Sequence, residues 1–151
     1  MNDFVALDLA SAGMHAQRER MAVIAENLAN QHTIGPNGPY QRKEVVFRAT
    51  PLSDFDQSLQ TALDKAAGVG ANDNLQTVGV AEVRYDNSAP DRRYEPSNPL
   101  ADAQGYVNYP NISIFREMTD MVEASRSYEA NLAVAKTTQD MQTAALQLAQ
   151  R

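Results

Sequence analysis

Cysteine is absent from this 151-residue sequence, so the chain has no disulfide bond, no thiolate metal ligand and no cysteine nucleophile. Histidine is almost absent too. His15 and His32 are the only two, and their separation matches no metal-ligand spacing, so both are expected to be surface or interface residues. Because no other polar motif converges on a site, we expect no metal, no cofactor and no catalytic residues.

Basic residues are scarce, with 13 Lys and Arg against 19 Asp and Glu and a net charge of −6. This balance, without any basic patch, argues against nucleic-acid binding. No apolar run approaches the roughly 20 residues of a transmembrane helix. Asp3 and Asp8 stand where a secretory signal would carry Lys or Arg, so no cleaved signal peptide is expected. If the protein leaves the cytoplasm, another export route must carry it.

Gly and Pro are both missing from residues 111–151, which predicts one C-terminal helix of roughly 60 Å. Beyond Glu129 its charges are Lys136, Asp140 and Arg151 alone, so small uncharged residues lie on several faces. A helix surrounded by other helices has this character. Its apolar residues recur at heptad spacing, diluted by Ser and Gln. The predicted seam residues are Met118, Met121, Tyr128, Leu132 and Leu146.

A second long helix is predicted within residues 1–32, where apolar residues again follow heptad spacing. Gly13 costs this helix about 1 kcal/mol in propensity, which favours a close helix contact there. A surface helix on a globular core is the alternative. Because the two ends carry matching stripes, we expect the terminal helices to pair as an antiparallel coiled-coil hairpin. The N-terminal seam residues are Leu7, Met14, Met21, Ile24 and Leu28.

The middle of the chain, residues 33–110, is predicted to be a small β-rich region, which gives a fold that is mainly α. Turn residues cluster between Gly35 and Pro39. Strands are predicted at 40–47, 77–85 and 105–107, a short helix at 51–67, and loops at 68–74 and 87–105.

Two acidic pairs in this region are candidates for calcium or acid–base sites. Asp54 with Asp56, and Asp86 with Asp91, lack the ligand spacing of a calcium loop. Helix caps and turns explain them better. We therefore predict no enzyme.

Three segments resemble bacterial flagellar rod and hook-family axial proteins. Ser11 to Thr33 is similar to the N-terminal signature of these proteins, Gly38 to Phe47 to the continuation in a proximal-rod subunit, and Gly105 to Asn131 to its entry into the C-terminal helix. Hook and distal-rod relatives usually carry an inserted domain, so the short length favours the proximal rod. The motif residues are Asn27, Leu28, Ala29, Asn30, Tyr40, Gly105, Tyr106 and Asn131.

The resemblance implies a structural subunit that polymerises with other rod proteins and with copies of itself. The implied product is a helical drive shaft that transmits torque across the periplasm. Basal-body membrane-ring and adaptor proteins are the further partners it implies, with the flagellar type III export apparatus as a partner in transit. A coiled-coil core at 1–32 and 111–151 would carry the 33–110 region on its outside.

Two alternatives to a proximal-rod subunit were considered. Another rod or hook-family axial subunit would share the same terminal signatures. A cytoplasmic helical dimerisation or regulatory protein would also show two heptad stripes, but it would need a charged outer face along its last helix.

Replacing Leu28 or Leu132 with Asp tests the predicted seams. An unpaired charge at a helix seam costs several kcal/mol, so either substitution is expected to abolish assembly and motility. Swarming at the wild-type rate in either variant would count against the seam.

Overall fold

A computed structural model describes residues 3–35, 38–51, 58 and 76–149. The chain is two long helices with a small β-rich middle, which confirms the predicted mainly-α architecture. In order, the elements are α1 (Asp3–Ala29), β1 (Ile34–Gly35), β2 (Gly38–Pro39), β3 (Lys43–Pro51), β4 (Gln76–Tyr85), β5 (Asp91–Tyr94), β6 (Tyr106–Tyr109) and α2 (Ile114–Ala149). Of the predicted helix at 51–67 the structure describes only Pro51, which is the last residue of β3, and Ser58, which is helical. The rest of that segment, the 68–74 loop, Asp54 and Asp56 lie outside the described residues.

Hydrogen bonds to the helix backbone mark the end of α1 and the start of α2. At the end of α1 the Asn30 amide nitrogen Nδ2 donates to the Glu26 carbonyl over 2.9 Å, and Asn30 Oδ1 accepts from the Thr33 hydroxyl. At the start of α2 the Glu117 N–H donates to the Ser113 carbonyl, which makes Ser113 the cap residue. Glu117 lies in the first turn, where a negative charge suits the helix dipole.

The chain divides into two compact units, and each long helix contributes one segment to each. The first unit contains residues 1–18, 47–81 and 126–151, and its α1 and α2 segments are in contact. A Cβ added at Gly13 would lie 2.7 Å from Asn131 Nδ2, so only a residue without a side chain admits Asn131 at this distance. The close helix contact predicted at Gly13 is confirmed.

The second unit contains residues 19–46 and 82–125. Its α1 and α2 segments are joined by ion pairs from Arg20 to Asp120 and Glu123 over 3.6 and 3.5 Å. Strands β3 and β4 pair with each other. In this unit, β1 also pairs with β2, and β5 pairs antiparallel with β6, whose matched ends are Asp91 with Tyr109 and Tyr94 with Tyr106.

Strand β5 was not predicted, since residues 87–105 were expected to form an extended loop. All four residues of β5, Asp-Arg-Arg-Tyr, are exposed. Its sequence therefore shows no alternation of apolar and polar residues from which a strand could be predicted. The strand depends instead on pairing with β6 and on stacking. The guanidinium of Arg92 lies 4.8 Å from the Tyr106 ring centre, and that of Arg93 lies 4.8 Å from the Tyr109 ring centre.

The turn into β6 explains two features of the sequence. Gly105 has φ of +81°, a conformation that favours glycine. Asp102 Oδ1 accepts from the backbone N–H groups of Tyr106 and Gln104, and the bond from Tyr106 is the main cause that lowers the pKa of the Asp102 carboxyl. Asp86 similarly accepts from the Ser88 N–H, so the turn role predicted for Asp86 is confirmed.

The Gly13–Asn131 contact gives a test by double-mutant cycle. In an Asn131→Ala background, Gly13→Ala should stabilise the protein by about 1 kcal/mol through helix propensity. In the wild-type background the same change should stabilise less or destabilise, because the new methyl group meets the Asn131 side chain. Urea denaturation followed by circular dichroism measures both. Equal effects in the two backgrounds would contradict the contact.

Candidate functional site

A buried carboxylate lies where α2 begins. The Glu117 side chain is 0% exposed. Its Oε1 accepts a hydrogen bond from Arg42 Nε over 2.7 Å, and its Oε2 accepts one from Asn27 Nδ2 over 3.1 Å. A carboxylate removed from water is costly unless it is paired and hydrogen-bonded, and Glu117 has both kinds of partner.

Asn27, near the end of α1, is 1% exposed, and its amide uses its full hydrogen-bonding capacity. Its two N–H groups donate to the Lys43 carbonyl over 2.8 Å and to Glu117. Its oxygen accepts from the Lys43 N–H over 2.9 Å and from the Tyr40 hydroxyl over 3.1 Å. No shorter, apolar or acceptor-only side chain could make these four bonds.

We call Asn27, Tyr40, Arg42, Lys43 and Glu117 the polar joint, because they connect α1, the start of β3 and α2. Each charged side chain of the joint has an oppositely charged partner, Arg42 with Glu117 and Lys43 with Glu26. Burial lowers the pKa of Arg42, but its hydrogen bond and charge interaction with Glu117 outweigh that effect, so the pKa is raised overall. The hydrogen bond from Lys43 Nζ to Glu26 likewise raises the pKa of Lys43. Burial raises the pKa of Tyr40.

The polar joint also contacts the chain at the end of strand β4. The Arg42 carbonyl accepts from the Asp86 N–H over 2.8 Å, while the Arg42 guanidinium lies 3.8 Å from the Asp86 carboxylate. Arg84 on β4 pairs with Glu44 on β3 over 3.0 Å. One residue, Arg42, therefore links the helix contact to the end of the β4 strand.

The predicted seam residues of α1 are at least partly covered within the chain. Ile24 is buried, and Leu7, Met14, Met21 and Leu28 are half-buried. The predicted seam residues of α2 differ in their exposure. Met121 and Tyr128 are half-buried, whereas Met118, Leu132 and Leu146 are 55%, 50% and 64% exposed.

The inward side of α2 carries a different row from the one that the apolar pattern suggested. Its members are small or polar and recur every seven residues, one position before Met118 and Leu132: Glu117, Ala124, Asn131 and Thr138. Three of them are buried and Asn131 is half-buried. A matching row on α1 contains Ala6, Gly13, Arg20 and Asn27, of which Gly13 and Asn27 are buried and the others half-buried. We call these the small-polar rows. Apolar patterning misses them, but the sevenfold repeat of small and amide residues was a usable signal.

The family-motif residues have distinct structural roles. Asn27 and Tyr40 belong to the polar joint, Asn30 ends α1, and Asn131 contacts Gly13. Gly105 and Tyr106 form the turn into β6. Leu28 is half-buried and Ala29, the last residue of α1, is exposed.

Large apolar side chains remain exposed along α2. Phe115 is 85% exposed and Leu148 is 73% exposed. Val134, Met141 and Leu148 follow each other at seven-residue spacing, so they lie on one face of the helix. Among the described residues no group of His, Cys, Asp and Glu could hold a metal ion. A search of the same residues finds no helix with the length and apolar character to cross a membrane.

Comparison with known proteins gives consistent matches. Residues 103–148 match the family model described as flagellar basal body rod FlgEFG protein C-terminal. The chain is 38% identical to the flagellar basal-body rod protein FlgC of Yersinia enterocolitica over 147 residues, which is 95% of each chain. It is 40% identical to FlgC of Salmonella typhimurium over 146 residues, again 95% of each, and 34% identical to FlgC of Bacillus subtilis over 154 residues, 98% of this chain and 99% of the relative.

The polar joint predicts a large difference between two glutamates of α2. Glu117→Ala removes one member of a buried pair and should destabilise the protein by about 3–5 kcal/mol. Glu123→Ala is the control, because Glu123 has a side chain 64% exposed in its pair with Arg20 and should cost less than about 1 kcal/mol. Denaturant unfolding gives both values. Similar losses for the two variants would contradict the energetic role of burial.

Proposed function

The chain belongs to the FlgC family of flagellar basal-body rod proteins, and on that premise we propose that it is a subunit of the proximal rod. It is a structural subunit of the flagellar rod, not an enzyme. The observation that carries this conclusion is identity of 34–40% with FlgC proteins over nearly the whole chain. These matches favour it over a hook relative or a cytoplasmic regulator.

The terminal helices are proposed to form an antiparallel coiled-coil hairpin as the core of the subunit. The order of contacts supports this. In the second unit Asn27 bonds Glu117, while Arg20, earlier in α1, pairs with Glu123, later in α2. In the first unit Gly13 lies beside Asn131. In these three pairs, a residue that lies earlier in α1 contacts a residue that lies later in α2, as antiparallel helices require.

The predicted seam residues are proposed to divide between two roles. Leu7, Met14, Met21, Ile24, Leu28, Met121 and Tyr128, which are half-buried or buried in one chain, are assigned to the hairpin. Met118, Leu132 and Leu146, half exposed or more in one chain, are assigned to contacts with other subunits. Burying an exposed Leu contributes roughly 1.5–3 kcal/mol. The outer charge of α2 is low after Glu129, which supports this assignment.

The subunit assembles with other rod proteins, and we propose that copies of itself are among them. A helical tube needs heterologous contacts, in which one patch meets a different patch on the next subunit. Torque would then pass through many helix–helix interfaces. The 1–32 and 111–151 segments would form the core of the tube and 33–110 its outer part. Membrane-ring and adaptor proteins are proposed as the neighbours at the base of the rod.

The protein belongs to the basal-body rod, and we place that rod segment in the periplasm. Export is proposed to occur through the flagellar type III apparatus, without cleavage of a signal peptide.

Leu146→Asp tests the assembly role apart from folding. Leu146 is exposed, so the substitution should change the stability of the isolated chain by less than about 0.5 kcal/mol. In the rod the same charge would be buried without a partner, so rod formation and swimming should be lost. Gln147→Asp, at the next and also exposed position, is the matched control and should swim normally. Normal swimming and intact rods in the Leu146 variant would contradict the proposed role.

A further inference from the structure

We propose that the polar joint and the small-polar rows set the register of the two helices, so that the apolar residues of α2 stay available for other subunits. This inference rests on the proposed structural function. It concerns the residues that favour one register of α1 against α2 over the alternatives.

Heptad patterns do not by themselves define a register. Apolar residues that recur every seven positions match again when one helix slides by seven residues along the other. The seam of this chain is also weak, since Ser and Gln interrupt it. Single polar groups at seam positions are an attested means of fixing coiled-coil register, because each slipped arrangement leaves them without partners.

The buried polar groups of the second unit have this property. In the observed arrangement Glu117 is fully buried with two hydrogen bonds, and Asn27 is saturated with four. A slide by seven residues would place Asn27 opposite Ala124 or Pro110, and neither side chain can accept its N–H group. Asn27 would then keep a buried N–H group with no acceptor. In the first of these slides Glu117 would move beyond the end of α1 and lose its bond to Asn27. In the second slide Glu117 would lie opposite Arg20, but Asn27 would still be left without its acceptor.

The first unit carries an independent version of the same constraint. Gly13 gives room to Asn131, whose amide lies 2.7 Å from the position that a Cβ would occupy. Moving Asn131 by one heptad removes it from the only glycine in α1 and places it opposite Ala6 or Arg20, where a side chain already stands. A steric match in one unit and a hydrogen-bonded match in the other therefore specify the same pairing of the small-polar rows.

A consequence follows for the faces of α2. Because the small-polar row occupies the contact with α1, the larger apolar side chains are left outside it. Met118 and Leu132 each lie one position beyond a member of the row, and both are at least half exposed. A slip or rotation that buried them in the hairpin would remove them from contacts with other subunits. The joint is therefore a positioning device for the assembly surface.

Spin-label distances on the isolated chain test the proposal. The protein has no cysteine, so Glu19→Cys and Arg116→Cys give two unique labels at exposed sites, one on each helix of the second unit. These positions are offset along the helices, so a seven-residue slip changes their axial separation by about 10 Å. We expect one narrow distance in the otherwise native chain. The triple variant Asn27→Leu, Arg42→Met, Glu117→Leu should stay helical but show at least one additional distance.

Ile24→Ala is the control, since it removes buried apolar volume but leaves the joint intact, and it should keep the single distance. If the triple variant does not fold, the nearly isosteric Glu117→Gln is measured instead. Its amide offers one acceptor oxygen to two donors, so an N–H group faces either the Asn27 N–H or the Arg42 Nε–H, and the variant should also produce a second distance. A single distance in the folded joint variant, or equal broadening in Ile24→Ala, would overturn the proposal. This readout requires no rod, so it is independent of whether the assembly role holds.

Discussion

The burial of the Glu117 carboxylate is the constraint on which the rest of this structure depends. A charge with no exposure to water must have a cation and hydrogen-bond donors beside it, and Arg42 and Asn27 supply them. These partners come from three parts of the chain, the end of α1, the start of β3 and the first turn of α2. The hydrogen bonds from Tyr40 and Lys43 to Asn27 complete the arrangement, so within the second unit the two helix segments and the start of β3 are positioned together.

The covered and the exposed faces of α2 carry different kinds of residue. The covered residues of the two helices include Gly13, Ala124, Asn27 and Asn131 as well as the apolar Ile24, whereas many large apolar side chains of α2 remain exposed. An ordinary globular domain would bury those side chains in its own core. For a rod subunit the arrangement is coherent, because apolar surface buried within one subunit would not be available to neighbouring subunits. We infer that polar groups fix the pairing within the chain, and we propose that the exposed apolar groups of α2 provide affinity between chains.

Much of the fold could be predicted from the sequence. The lack of Gly and Pro identified α2, the heptad spacing identified both helices, and Gly13 identified a close contact. Strand β5 was missed because its stability comes from Arg–Tyr stacking and from β6, neither of which leaves an apolar alternation. The small-polar rows were not predicted, because their glycine, alanine, amide and charged residues form no apolar pattern. The partnership of Glu117 with Asn27 and Arg42 joins positions 90 and 75 residues apart, and no local pattern encodes such a separation.

The central claim is that one subunit pairs its own helices through the small-polar rows and meets other subunits through the exposed apolar side chains of α2. A density map of the intact basal body, at a resolution that shows side chains, tests it most directly. The account predicts that Asn27 bonds Glu117 within each subunit, while Met118, Leu132 and Leu146 are buried against neighbouring subunits. Finding these three side chains in solvent, or finding Glu117 paired with a residue of another subunit, would contradict it.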